Sequence, residues 1–254
     1  MTINEMVDES KGVKNSESQV SQLSSSTKRK RSSNDFLQRT EQRGIDEKHD
    51  SHHVHFFKPR DNWEIISLYH LTWSYSGNRD DAQEFLNFCQ NSYSFKDCVT
   101  VANLTKDQSQ SPIWYEMRYG RITASIFDQT AHRHTTGGAL FNKIMGGKTI
   151  DTGAMARGRE LESDVIKVVE DLIGEKILKS GLLLSPQYPW FGASPDGLTR
   201  TSIIEVKCPT RTDTVSNYYH NNVVNPNCRA QIELQMLFAG KKKAKFCIAD
   251  PNFP

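Results

Sequence analysis

The chain has 254 residues, 24% of them charged and 36% hydrophobic, and a net charge of only +2 with a pI of about 8.2. That length suits one domain with extensions, and so balanced a charge leaves any nucleic-acid binding to local patches rather than to the whole surface. Three features point to a soluble intracellular protein with reduced thiols. No apolar stretch approaches the roughly twenty residues that span a bilayer, Met1 to Asn15 is not a signal peptide, and Cys89, Cys98, Cys208, Cys228 and Cys247 show neither a CxxC pair nor zinc spacing.

Residues 1 to about 60 are Ser-rich and polar, without amphipathic period, and are expected to form a disordered tail. Within it Lys28, Arg29, Lys30 and Arg31 read either as a nuclear-import signal or as a solvated charge run. Nuclear location follows from the first reading, cytoplasmic from the second. His49, His52, His53 and His55 lie in the same polar tail, which offers no fixed frame for a metal. From residue 61 to 110 apolar and aromatic residues return, among them Trp63, Ile65, Trp73, Phe85 and Phe88. The stretch reads as a helical lead-in with a packing role, Asp81 to Cys89 having near-helical spacing. It could instead bind a partner.

Next, Ser111-Pro112 looks like an N-cap and first helical residue, Gly120 like a helix stop and Thr123 like a new N-cap. Backbone N–H groups around Thr123 to Ser125, beside Arg118, form a natural anion site. A long helix is expected over Ala156 to Ile173, where Glu162 shares the apolar stripe and Glu160 lies about 200° around the helix. An inward carboxylate is costly unless paired or bound to a metal. A further helix is expected over Asn227 to Ala239, capped by Gly240, with Gln231 on the face of Cys228, Leu234 and Phe238.

The most informative run is Asp196 to Lys207. Ile203, Ile204, Glu205, Val206, Lys207 and Cys208 read as a strand, so Glu205 and Lys207 point to one side. Asp196 closes a strand candidate over Trp190 to Pro195, and the turn residues Thr199 to Ser202 would fold it back toward Glu205. Two carboxylates and a lysine suit Mg²⁺ or Mn²⁺ and a phosphate. Taken alone, Pro-Asp-Gly is also a common turn and Glu-x-Lys a common surface ion pair.

In order along the chain stand Trp114-Tyr115-Glu116-Met117-Arg118-Tyr119-Gly120-Arg121-Ile122-Thr123-Ala124-Ser125, Gly158-Arg159-Glu160-Leu161-Glu162, Ser194-Pro195-Asp196-Gly197-Leu198, Glu205-Val206-Lys207-Cys208-Pro209 and Ala230-Gln231. Together they resemble the lambda exonuclease family, the YqaJ-like viral recombinase domains of the PD-(D/E)XK nuclease superfamily, over roughly residues 110 to 250. The resemblance implies an α/β, restriction-endonuclease-like fold: a central mixed sheet built on Leu182 to Ser185, Trp190 to Pro195, Ser202 to Cys208 and Ala244 to Ala249, flanked by helices. It implies a nuclease domain over 111 to 254, shortened at its C-terminus relative to family members, which usually continue with another strand and helix. By the same resemblance Asp196, Glu205 and the Val206 carbonyl would bind a metal ion, and Glu162 would support a second. Lys207 would act on the phosphate or its water. Gln231 would arrange the site, although Cys228 stands where the family often has tyrosine. Arg118 and Ser125 would hold a 5′-phosphate.

The implied activity is a Mg²⁺-dependent exonuclease, with Mn²⁺ as substitute, acting from the 5′ end of double-stranded DNA in recombination or in mobile-element or viral DNA processing. A homotrimer or a single-strand annealing partner is implied by resemblance alone, and no membrane. A structure-directed endonuclease and a non-catalytic DNA-binding accessory module are the other readings.

Overall fold

The computed structural model describes residues 2–7, 66–134, 137–147 and 151–253. The first elements in chain order are strand β1 (Thr2–Val7) and helices α1 (Leu68–Ser74), α2 (Ala82–Asn91), α3 (Phe95–Leu104) and α4 (Pro112–Arg118). The next group comprises β2 (Ile122–Thr123), α5 (Phe127–Ala131), α6 (Ala139–Ile144) and α7 (Gly153–Ile173). Short strands β3 (Phe191–Gly192) and β4 (Gly197–Leu198) lead into β5 (Ser202–Lys207). A small hairpin follows, β6 (Tyr219–His220) with β7 (Val223–Val224), then α8 (Pro226–Ala239) and β8 (Lys243–Ile248).

The central sheet is mixed, in the order β1-β8-β5-β4. Strand β5 runs parallel to β8, from Ser202 opposite Lys243 to Lys207 opposite Ile248, with α8 as the crossover between them. It runs antiparallel to β4 on its other side. Helices cover both faces, which is why β5 reads as a nearly unbroken apolar run. Alternation sends Ile204 and Val206 toward α7, where they pack with Val165 and Val169. It sends Ile203 toward α8 with Cys228, Ile232 and Met236. Glu205 and Lys207 therefore also face α8.

Local chemistry sets the helix bounds. Helix α7 starts at Thr152, whose hydroxyl accepts from the Met155 N–H, and stops at Gly174 with φ 64°. Helix α8 starts with Pro226 behind the Asn225 cap and stops at Gly240 with φ 62°. Both stops use glycine's freedom in the left-handed region.

The lead-in helices share a core with the rest of the domain. Ile66, Leu71, Cys89 and Val101 pack against Met117, Leu182 and Leu184. A Cβ at Gly181 would collide with the Ala102 carbonyl oxygen of α3, so this junction requires glycine. Arg121, 1% exposed, donates to the carbonyls of Ile66 (2.7 Å), Met117 (2.6 Å) and Pro189 (2.9 Å) and so ties three segments together.

Two strand expectations are corrected. Leu182 to Ser185 makes one bridge, Leu183 with Ala193, because the Leu182 N–H donates instead to Thr105 Oγ1 of the lead-in at 2.8 Å. Trp190 to Pro195 does not enter the central sheet; only Phe191–Gly192 is strand, parallel to β2. Pro195 has no N–H for a ladder, and pairing with β5 resumes at the Asp196 N–H, which donates to the Ile204 carbonyl at 3.1 Å.

At the chain start, Thr2–Val7 forms an edge strand antiparallel to β8, within the stretch expected to lack structure. Glu5 on this strand pairs with Lys243 (2.8 Å) and Lys245 (3.7 Å), so part of the basic run after α8 is neutralised within the fold. Lys28, Arg29, Lys30, Arg31 and the tail histidines lie outside the described residues. No helix among the described residues is long and apolar enough to cross a membrane.

Candidate active site

The site grows from the β4–β5 hairpin. Thr199 Oγ1 accepts from the Ser202 N–H at 3.0 Å and closes the turn, which brings Asp196 back beside β5. There Asp196 Oδ2 accepts from the Val206 N–H at 2.6 Å. The Asp196 carboxylate is thereby latched to the strand that carries Glu205 and Lys207.

Glu205 is 2% exposed, and each of its oxygens has a partner. Oε1 accepts from Lys207 Nζ at 2.6 Å and from Gln231 Nε2 at 2.5 Å, and Lys207 also donates to Gln231 Oε1 at 3.2 Å. The three side chains close a triangle between β5 and α8. Oε2 accepts from Gln235 Nε2 at 2.7 Å. A buried carboxylate is tolerable only when so satisfied.

Glu162 is half-buried on α7 while Glu160 is exposed, as the helical stripe implies. It rises from the helix on the opposite face of the sheet yet still senses the site: burial, then Glu205, pushes its carboxyl above the usual range, while Lys207 lowers it. Asp196 is pushed further. Burial raises its carboxyl well above the ordinary value, with repulsion from Glu205 and Glu162 adding to it. For Lys207, burial opposes the charge, but Glu205 and Asp196 overcome it and hold the ammonium above the ordinary lysine range.

Among the described residues, no group of three or more His, Cys, Asp or Glu side chains is gathered to hold a metal ion. The structure brings Asp196, just ahead of β4, beside Glu205 of β5, with Glu162 within electrostatic reach. A Mg²⁺ ion needs only one or two carboxylates besides water and phosphate, and hard oxygen donors in a field of mutual acidic repulsion fit a divalent cation.

Beside this centre opens a cavity of about 170 Å³ lined by Gln108, Trp114, Arg118, Ala124, Ser125, Ser194, Gln231 and Gln235. Arg118 lies over the Trp114 ring at 3.9 Å, and its Nη2 donates to Thr123 Oγ1 at 3.4 Å. That hydroxyl lies 3.3 Å from Ser125 Oγ. Burial pushes the Arg118 guanidinium down to about 10, which leaves it cationic at neutral pH. The Thr123 side chain caps no helix; it spaces Arg118 from Ser125 instead. Trp114 Nε1 donates to Ser194 Oγ at 3.1 Å and so joins this pocket to the turn that carries Asp196.

Several residues here escape sequence reasoning. Gln235 sits one helical turn beyond Gln231, a spacing that could have flagged it. Gln108 lies outside every motif, yet with φ 44° it donates to the carbonyls of Ser180 and Pro195, each at 3.1 Å. Lys143 of α6 is held below the ordinary lysine range by burial and then by the charge of Arg118.

The family match covers the stretch that carries the motifs. The YqaJ-like viral recombinase domain matches residues 113–242. The shutoff alkaline exonuclease of Alcelaphine herpesvirus 1 (strain C500) is 27% identical over 126 residues, or 48% of this chain and 26% of that protein. The chain thus spans about a quarter of that relative's length. Among solved structures, the alkaline exonuclease LHK-Exo from Laribacter hongkongensis is similar at 30% identity and a TM-score of 0.44, over 56% of this chain and 75% of that one. The shutoff and exonuclease protein from Kaposi's sarcoma associated herpesvirus is similar at 21% identity and a TM-score of 0.36, over 56% of this chain and 31% of that one. With the matched domain covering half of its length and the motifs in order, the chain belongs to the YqaJ-like viral recombinase domain family of the PD-(D/E)XK nuclease superfamily.

Proposed function

We propose that this domain is a Mg²⁺-dependent deoxyribonuclease that hydrolyses DNA phosphodiester bonds inward from a 5′ end. The observation that carries the reading is one juxtaposition. The group formed by Asp196, just ahead of β4, with Glu205 and Lys207 of β5 shares Gln231 with the cavity holding Arg118 and Ser125. Family membership and the likeness to a viral alkaline exonuclease support the substrate class.

Asp196, Glu205 and the Val206 carbonyl would hold one Mg²⁺, and Glu162 would support a second. Bound, the metal would lower the pKa of a water and offset negative charge on the phosphate and the leaving oxygen. The protein's own groups do the rest. The Lys207 ammonium, which donates to Glu205 and Gln231, would stabilise the scissile phosphate or position the attacking water. Glu205 and Gln231 hold that ammonium in place. Arg118 and Ser125 would seat the terminal phosphate, and that anchoring measures the distance from the end to the scissile bond.

The test is Mg²⁺-titrated digestion of 5′-phosphorylated linear duplex beside closed circular duplex, with chelator controls. Loss of the linear substrate alone supports the end-directed reading. Nicking of the circle would replace it with an endonuclease using the same residues, and no metal-dependent cleavage would leave a DNA-binding accessory module.

A further inference from the structure

Gln235 has no place in the mechanism so far, yet it is the best-buried polar side chain at the centre, 0% exposed. It lies in α8 between the buried residues Leu234 and Met236, with Ile232 nearby, where an apolar side chain would serve the fold. Its Nε2 donates to Glu205 Oε2 at 2.7 Å and to the Ser194 carbonyl at 3.4 Å, two residues before Asp196. Both partners are acceptors, so the amide has one allowed orientation; flipping it would set carbonyl against carboxylate. Its Oε1 has no hydrogen-bond partner among the described residues. A half-satisfied buried amide is a poor choice for packing alone.

We propose that Gln235 is a positioning residue that fixes the rotation of the Glu205 carboxylate and holds it in one frame with the Asp196 turn. This rests on the reading of Glu205 as a metal ligand. Gln231 and Lys207 both hold Oε1, so two bonds to one oxygen leave the carboxylate free to swing the other. Gln235 is the group that stops that swing. Through Ser194, itself held by Trp114, the same amide reaches the segment that delivers Asp196. The two carboxylates thereby keep one spacing before any cation arrives. Preorganisation of this kind commonly changes metal affinity by about 10-fold to 100-fold.

The experiment is calorimetric titration of Mn²⁺ into the full chain, comparing the parent with Gln235→Met, which keeps the volume and removes the donor, and with Glu205→Ala. Mg²⁺-dependent cleavage and thermal melting are measured alongside. We expect Gln235→Met to melt near the parent, to bind Mn²⁺ about tenfold more weakly or worse, and to need correspondingly more Mg²⁺ for half-maximal cleavage at an unchanged KM for DNA. A role confined to packing would lower the melting temperature and the active fraction but leave the Mg²⁺ requirement where it was. If Gln235→Met fails to fold, Gln235→Asn, which keeps an amide but draws it back from Glu205, carries the same expectation. Loss of folding in both overturns the proposal. Mn²⁺ binding by Gln235→Met equal to the parent, while Glu205→Ala loses it, also overturns it and spares the reading of Glu205. Equal binding by the parent and Glu205→Ala sinks that reading, and the positioning role with it.

Discussion

The carboxylate of Asp196, just ahead of β4, accepts the backbone N–H of Val206 in β5 at 2.6 Å, which places Asp196 beside the segment between Glu205 and Lys207. The bond lowers the Asp196 pKa, but burial and two neighbouring carboxylates outweigh it and the net shift is upward. Two pH effects follow. A carboxyl raised above its unfolded value contributes stability that is fully present at low pH and is lost as pH rises through the folded value. Metal-free protein should therefore lose stability as the medium moves from acidic toward neutral, and Asp196→Asn should flatten that slope. Asp196→Asn should also raise the neutral melting temperature by roughly a few degrees while removing cleavage. A melting profile with the same pH slope in both proteins would contradict this.

The second effect concerns metal. A ligand must give up its proton, so Mg²⁺ should be bound more tightly, and half-saturate cleavage at lower concentration, as pH rises through the range in which Asp196 ionises. Mg²⁺ titrations of the cleavage rate at fixed ionic strength read this directly. A requirement that stays constant over that range would show that Asp196 is already ionised without metal.

Arg118 predicts end selectivity. Arg118→Ala should slow digestion of 5′-phosphorylated duplex by about tenfold or more, since it removes a desolvated charge-assisted contact, and should leave 5′-hydroxyl ends nearly unchanged. Lys143→Ala, which removes a charge that interacts with Arg118, should act in the same sense but less. Equal losses on both ends would place Arg118 in the scaffold, over the Trp114 ring.

How much of this was legible in the sequence depended on range. The pair Glu205 and Lys207 was readable because strand alternation fixes their common side, and Glu162 because helical period separates it from Glu160. The return of Asp196 to β5 was readable from the turn residues Thr199 to Ser202, but its strand was not. Pro195 bars the expected ladder, and the pairing segment is Gly197–Leu198 instead. The spacing of Gln235 from Gln231 puts both on one helix face, but the contact of Gln235 with Glu205, thirty positions away, is not a local signal. The edge strand Thr2–Val7 pairs with residues near the other end of the chain, which no local pattern announces.

Arg121 makes the lead-in part of the domain. Arg121→Leu would leave the buried carbonyls of Ile66, Met117 and Pro189 without their donor, at a cost of about 3 kcal/mol. Urea unfolding should show a lower midpoint in one transition. An unchanged midpoint would mean that residues 66 to 110 add nothing to the stability of the rest.

If Asp196 and Glu205 support metal-dependent hydrolysis, the Mg²⁺-dependent cleavage rate of linear duplex by the parent, Asp196→Ala and Glu205→Ala, each shown to be folded by circular dichroism, will separate the three proteins at once. The parent should show chelator-sensitive cleavage, and each variant a loss of about a thousandfold or more. Cleavage by either folded variant at the parent's rate would contradict that role.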